Sequence, residues 1–327
     1  MSAAFGRRNR QVPVVRGRVL GGSHTVNYVG YTRGNARDYD RWASATYGAG
    51  PDWAFDALLP YFLRTENNTD PAVVAARPDL HSTRGPLEVS TAPNRQPILS
   101  KWVEATEAVG WPKLDFSDAR NQSYGSSVLQ TTQSATNWTR QTTASAFIEV
   151  NIGRPNLHVL LNSQVTRILF DSNSSTPTAT GVEYFRASDG TTQRVAANRE
   201  VILCGGSINS PQLLMLSGIG HRDHLQSVGV TPLVNLPVGD RLYEHLSINF
   251  DYLATNRSLI PTEGDLANQL TVENLYQFFT RATGQLAGLP FAETYIATGI
   301  NGERAWPDVN VYVLISQISK CLCSFLF

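Results

Sequence analysis

The sequence predicts an α/β fold with α+β elements, on three observations. The glycine pair Gly205-Gly206 separates an apolar run, Glu200 to Cys204, from the leucine-rich Pro211 to Ser217, the pattern of strand, tight turn and helix. Short alternating segments at Leu157 to Leu161, Val165 to Phe170, Thr180 to Phe185 and Gln193 to Ala196 read as a meander of antiparallel strands inserted in a larger α/β domain. Apolar positions at helical spacing occupy the stretches around Trp53 to Phe62 and Ile98 to Ala108.

In chain order, Arg16 to Leu20 is an extended lead into the turn Gly21-Gly22, and Ser23 to Tyr31 is a packed segment of small and apolar residues around Asn27. Asp38 to Trp42 begins a surface turn or helix, and Pro51 opens a second helix near its first turn. Asn67 to Pro86, rich in Asn, Pro and Arg, reads as a long excursion over the surface, either a ligand-covering lid or an ordinary loop. Pro97 to Val109 is a helix ended by Gly110 and Trp111-Pro112. Asp115 to Thr136, dominated by Ser, Gln and Asn, reads as irregular, and Ala144 to Ile148 as a short helix. Glu200 to Cys204 is a buried-strand candidate, and Val309 to Ile315 begins a further strand.

Composition bounds the function. With 327 residues, 42% hydrophobic and 17% charged, the chain can bury a substantial core in one large or two smaller domains. The 27 basic residues balance 27 acidic ones, which leaves no electrostatic footprint for nucleic acid or an acidic membrane. Cys204, Cys321 and Cys323 are too few for a disulfide framework, and the one-residue spacing of the last two does not suit a zinc site. Met1 to Arg10 lacks the apolar stretch of a secretory signal, although N-x-[ST] triplets at Asn67, Asn121, Asn137, Asn173 and Asn256 tilt slightly toward a secreted parent; localisation stays open. Val309 to Phe327 is too interrupted by polar residues for a bilayer span.

Two separated blocks carry a family likeness. The first is Gly17-Arg18-Val19-Leu20-Gly21-Gly22-Ser23-His24-Thr25-Val26-Asn27, continued by Tyr31, Arg33-Gly34 and Asp38 to Trp42; the second runs from Gly206 to Gly220. Together with His81, Gly85-Pro86-Leu87, Arg140, Ala144, Phe147, Leu236 to Gly239, His245 and Trp306 to Val309, they resemble the glucose-methanol-choline family of FAD-dependent oxidoreductases. The resemblance implies a partial FAD-binding Rossmann-like domain, residues 1–66 and 140–245, and a lid with a partial substrate domain built on an antiparallel sheet, residues 67–139 and 246–327.

The resemblance also implies the cofactor contacts. Gly21, Gly22 and Ser23 would lie along the pyrophosphate and ribitol of FAD, where glycine lets backbone N–H groups approach phosphate. Asn27, Tyr28, Val29 and Gly30 would run beside the isoalloxazine ring, with Asn27 supplying a donor and an acceptor or capping a nearby turn. Arg18 either neutralises phosphate or packs at the surface. Val165 would meet the adenine side through its backbone, with its side chain in the core, and Cys204 and Gly205 would end a central strand beside FAD, Cys204 as a small buried hydrophobe. His24 stands where the family carries a small residue, so its ring would narrow the pocket, stack over it or face away. Tyr243-Glu244-His245-Leu246 departs from the usual Gln-Asp-His-Pro and relaxes a turn.

The reaction implied by the family is oxidation of an alcohol, with a base taking the hydroxyl proton while hydride passes to flavin. The small-molecule substrate of the complete parent would be a sugar, a polyol, a choline-like or another alcohol. No segment matches the family's catalytic His motif, so no catalytic residue is assigned and the base is expected beyond Phe327; His81, His158, His221, His224 and His245 read as surface or satisfied structural residues. No Gly-x-Gly-x-x-Gly turn precedes Arg16, and Ser319 to Phe327 does not continue the family pattern, so the chain reads as the middle of a larger enzyme with a truncated or mispredicted tail. Tight FAD binding and turnover by this chain alone are not expected. The alternative is a non-catalytic binding or interaction protein that keeps part of the fold.

Overall fold

The computed structural model describes residues 2–4, 11–44, 48–93, 97–171, 176–245, 247–253, 256, 270–284, 286–288, 290–300, 302, 306–316 and 320–326. The chain divides into two units, residues 1–154 with 245–327, and residues 155–244.

The first unit opens with the antiparallel strands β1 (Ser2–Ala4) and β2 (Gln11–Pro13). After the glycine segment comes α1 (Ala36–Ala43), capped by Asn35, whose Oδ1 accepts from Arg37 N at 3.0 Å while its Nδ2 donates to the Gln122 carbonyl at 2.8 Å. Asp40 of α1 accepts from Phe55 N at 3.0 Å and so caps α2 (Phe55–Thr65). Phe55 then buries itself between Tyr39 and Phe62, which fastens the two helices together.

Across residues 67–86, expected as a surface excursion, most residues are exposed or half-buried, but the stretch carries α3 (Pro71–Ala76) and is flanked by β3 (Glu66–Asn68) and β4 (Leu87–Val89), which pair in parallel. Glu66, Asn68, Leu80, His81 and Val89 are buried. Within the stretch Asn68 and His81 are buried because their polar atoms bond to one another and to Glu66. Arg33 Nη2 pairs with Glu66 Oε2; Glu66 Oε1 meets His81 Nδ1 at 2.8 Å; His81 Nε2 meets Asp115 Oδ2 at 2.9 Å.

Helix α4 (Pro97–Ala108) packs Leu99 and Trp102 on one face of a sheet. Its first strand, β5 (Gly125–Val128), lies within the stretch expected to be irregular. That stretch is buried because its hydroxyls and amides are occupied: Ser126 Oγ lies 2.7 Å from Thr294 Oγ1, and Gln133 Nε2 donates to the Trp138 carbonyl at 3.0 Å.

The second unit is built on an antiparallel meander, β6 (Ser163–Asp171), β7 (Thr178–Arg186) and β8 (Thr191–Ala196), in that spatial order. Residues 157–161, expected as a strand, form none: the alternation is there, but no strand faces it among the described residues, and Leu160 and Leu161 are exposed. Helix α5 (Gly206–Leu216) packs on β6, where Ser217 Oγ accepts from Ile168 N at 2.9 Å. Strand β9 (Ile219–Gly220), α6 (Arg222–Ser227) and β10 (Val234–Asn235) follow, with β9 and β10 parallel.

The chain then returns to the first unit through β11 (Ser247–Leu253), α7 (Val272–Arg281), β12 (Ala292–Ile296), β13 (Val309–Ser316) and β14 (Lys320–Leu326). With β5 they complete an antiparallel five-stranded sheet in the order β11-β14-β13-β12-β5. The departure from the family pattern after Ser319 thus falls on a strand paired on both sides. Among the described residues no helix is long and apolar enough to cross a membrane.

The buried charge cluster gives a testable pH dependence. Burial alone would depress the His81 pKa, but its hydrogen bonds to Asp115 and Glu66 outweigh that and raise it from 6.5 to about 9. A raised pKa means the stabilisation is complete below about pH 6.5 and is lost as pH climbs through 9, by on the order of 3 kcal/mol. Urea unfolding between pH 6 and 10 is expected to show this loss, and His81→Gln to be weaker at pH 6 and nearly flat across the range. A wild-type stability that rises over that interval contradicts the assignment.

Candidate functional site

The residues singled out in the sequence occupy two regions, one in each unit. In the first unit the chain closes a tight loop: Gly22 N donates to the Val19 carbonyl at 2.8 Å and Gly17 N to Ser23 Oγ at 3.3 Å. Gly21 and Gly22 take φ of 92° and 59°, backbone that side chains resist. A Cβ on Gly22 would meet nothing within 4 Å, so the Gly22 backbone borders open space. Arg18 and Ser23 are exposed beside it.

The segment that follows is clamped from a distant part of the sequence. Val29 is buried, yet its φ is 57°, a conformation a β-branched residue adopts only under constraint. Its N–H donates to Asn27 Oδ1 at 3.0 Å, and its carbonyl accepts from Thr132 N at 2.8 Å and Thr132 Oγ1 at 3.2 Å. His24 Nε2 lies 2.9 Å from Thr132 Oγ1, within hydrogen-bond distance. Burial, then the charge of Arg140, hold the His24 pKa below its ordinary value, which keeps the ring neutral. The His24 ring is thus tied to Thr132. Thr143 Oγ1 donates to the Gly21 carbonyl at 3.2 Å. Gly30 crosses Leu129 and Phe291 so closely that a Cβ would lie 2.6 Å and 2.8 Å from their side chains. Tyr28 is 76% exposed.

In the second unit Val165, Cys204 and Gly205 line one cavity of about 650 Å3, with Ile202, Asn209 and Leu213 among its other walls. Its size and apolar lining suit a small organic group. Thr166 is an extra residue between the paired Val165 and Arg167, a bulge that bends β6 beside the cavity. Gly205 precedes α5, and a Cβ there would press on Ser210 N at 3.1 Å, so the turn is tight.

Three expectations fail here. Residues 200–204 form no strand, because they have no pairing partner among the described residues, and Cys204 is exposed rather than a buried hydrophobe. Its side chain and that of Ile202, 72% exposed, face the cavity region instead of a core. Val165 is half-buried at the cavity wall, not in a core. Sequence reading also missed Thr132 as a functional partner of Val29. A lone threonine in a polar stretch carries no periodic signal, and only the folded pairing of residues 24–30 with 131–141 reveals it.

The glycine loop of the first unit and the glycine turn into α5 beside the cavity of the second are each compatible with contacts to an organic cofactor. The GMC oxidoreductase sequence profile matches residues 2–247, and the chain belongs to that family. It is 37% identical over 255 residues to an uncharacterized GMC-type oxidoreductase of Mycobacterium tuberculosis, covering 78% of this chain and 46% of the relative. It is 33% identical over 300 residues to the glucose dehydrogenase (FAD, quinone) of Drosophila melanogaster, covering 91% of this chain and 45% of the relative. The chain therefore spans about half the length of these curated relatives. Among solved structures, an FAD-dependent oxidoreductase from Chaetomium thermophilum superposes with a TM-score of 0.79 at 23% identity, over 99% of this chain and 63% of that one. That likeness establishes the mixed helix-and-sheet fold.

Glycine replacements separate conformation from space. Gly30→Val is expected to destabilise the protein by about 1–3 kcal/mol through overpacking against Leu129 and Phe291, and Gly22→Ala by only about 1 kcal/mol, from backbone strain alone. Thermal melts of the two variants check this; equal losses contradict the difference in packing.

Proposed function

We propose that this chain carries FAD-contacting surface of an oxidoreductase acting on CH–OH groups of a small-molecule alcohol. The observation that carries the reading is the open space at Gly22 beside the clamped segment 24–30: backbone is accessible where a pyrophosphate needs close N–H donors, and the following residues are held rigidly. The residues fit the cofactor in chemistry. Gly21, Gly22, Ser23 and Arg18 would hold the phosphate and ribitol portion, Asn27 to Gly30 the ring and Val165, through its backbone, the adenine side, with Cys204 and Gly205 beside FAD. When bound, FAD supplies the two-electron acceptor that alcohol oxidation requires.

The chain's own residues position and shield rather than transfer protons. Val29, buried behind the segment, excludes water from that side, and neutral His24 adds no charge there. The base that accepts the alcohol proton is not assigned among the histidines of this chain. His81 is fully engaged by Glu66 and Asp115, and His221 Nε2 lies 2.8 Å from Asp240 Oδ2. Residues 1–66 and 140–245 are assigned to FAD binding, and residues 67–139 and 246–327 to the lid and substrate side. By itself the chain is proposed to bind FAD weakly and not to turn over; the alcohol, the electron acceptor and the activity belong to the proposal for the whole protein. The curated relatives whose names include glucose and choline dehydrogenases support an alcohol substrate.

Fluorescence titration of FAD with the purified chain tests this. Binding is expected, weakened at least tenfold by Gly22→Val, which fills the open space, and by Cys204→Trp, which fills the cavity. Full affinity in both variants would overturn the assignment of both regions.

A further inference from the structure

Asn27 lies on the exposed side of the clamped segment, and its carboxamide is held in one orientation. Two donors converge on Oδ1: Val29 N at 3.0 Å and Arg140 Nη1 at 2.8 Å. Neither can bond an amide nitrogen, so the carboxamide cannot turn over without losing both bonds. Nδ2, by contrast, has no hydrogen-bond partner among the described residues. Arg140 is itself fixed. Its backbone bridges to Gln133, Gln141 N donates to the Thr132 carbonyl at 2.9 Å, and Arg140 Nη1 also donates to the His24 carbonyl at 3.1 Å. Among the described residues no carboxylate forms an ion pair with it, and burial lowers its pKa. A guanidinium bound to neutral oxygens at two points of one loop acts as a brace for that loop rather than as a member of a surface ion pair.

We propose that Arg140 is a positioning residue for the cofactor-contacting segment: by occupying Asn27 Oδ1 it fixes the carboxamide so that Nδ2 is presented as a hydrogen-bond donor to a carbonyl or ring-nitrogen acceptor of the bound flavin. The inference rests on the FAD reading above for its ligand, but not for the brace, which exists without one. It predicts a division of labour within one side chain: the oxygen of Asn27 belongs to the protein and the nitrogen to the ligand.

Amide hydrogen exchange across residues 24–30, measured without ligand, and FAD titration together test it, with circular dichroism melts as the check on folding. Arg140→Leu should speed exchange of this segment about tenfold or more, and Arg140→Lys, which keeps a donor for Asn27, should restore most of the protection. Asn27→Asp keeps acceptors for both Val29 and Arg140 but has no N–H, so the segment should stay protected while FAD affinity falls at least tenfold. Unchanged exchange in Arg140→Leu, or wild-type FAD affinity in Asn27→Asp, overturns the proposal. If Arg140→Leu does not fold, the Lys and Asp variants decide by the same readouts: loss of protection in Asn27→Asp refutes the brace. Failure of the unaltered chain to bind FAD overturns the proposed function and the role given to Nδ2, whereas the exchange measurements still decide the brace.

Discussion

The peptide at Val29 is the constraint on which the site depends. A β-branched residue with positive φ costs on the order of 1–3 kcal/mol, and it persists only where its surroundings over-determine it. Here both backbone polar groups of Val29 are bonded, the N–H to Asn27 and the carbonyl to Thr132, and the side chain is packed away from water. Gly30 follows immediately and leaves no room for a Cβ against Leu129 and Phe291. Strain, hydrogen bonding and close packing thus hold a single conformation of residues 27–30, which is what a rigid planar ligand asks of its protein.

The segment is anchored at both ends. Upstream, the loop of Gly17 to Ser23 closes on itself through Gly22 and Ser23. Downstream, Arg33 enters a buried cluster with Glu66, His81 and Asp115, and Asn68 Nδ2 donates to Glu66 Oε1 at 2.9 Å. Buried charges are costly unless paired, so this cluster constrains β3, the loop at His81 and the turn at Asp115 to one arrangement. The fold's polar interior places the end of the clamped segment as firmly as its apolar core does.

The fold was legible where spacing or glycine carried the signal. The meander of β6 to β8 announced itself by alternation and α4 by its apolar face and the stops at Gly110 and Pro112, whereas α1 was legible only as a turn or helix beginning at Asp38. Family likeness, not periodicity, picked out Asn27, Val165 and Arg140. What escaped was polar and buried: Asn68 in β3, Ser126 and Ser127 in β5, and Thr132, whose side chains resemble loop composition until their partners are known. Residues 200–204 erred the other way. Their apolar composition demanded a core, but a strand needs a neighbour, and without one among the described residues the segment borders a cavity.

The proposed function makes one demand that can be measured directly: FAD lies against the glycine loop and the clamped segment that follows it. Amide hydrogen exchange of the chain with and without saturating FAD tests it most directly. Slowed exchange is expected across residues 18–30, with little change in β12 and β13. No difference across residues 18–30 on adding FAD would contradict it.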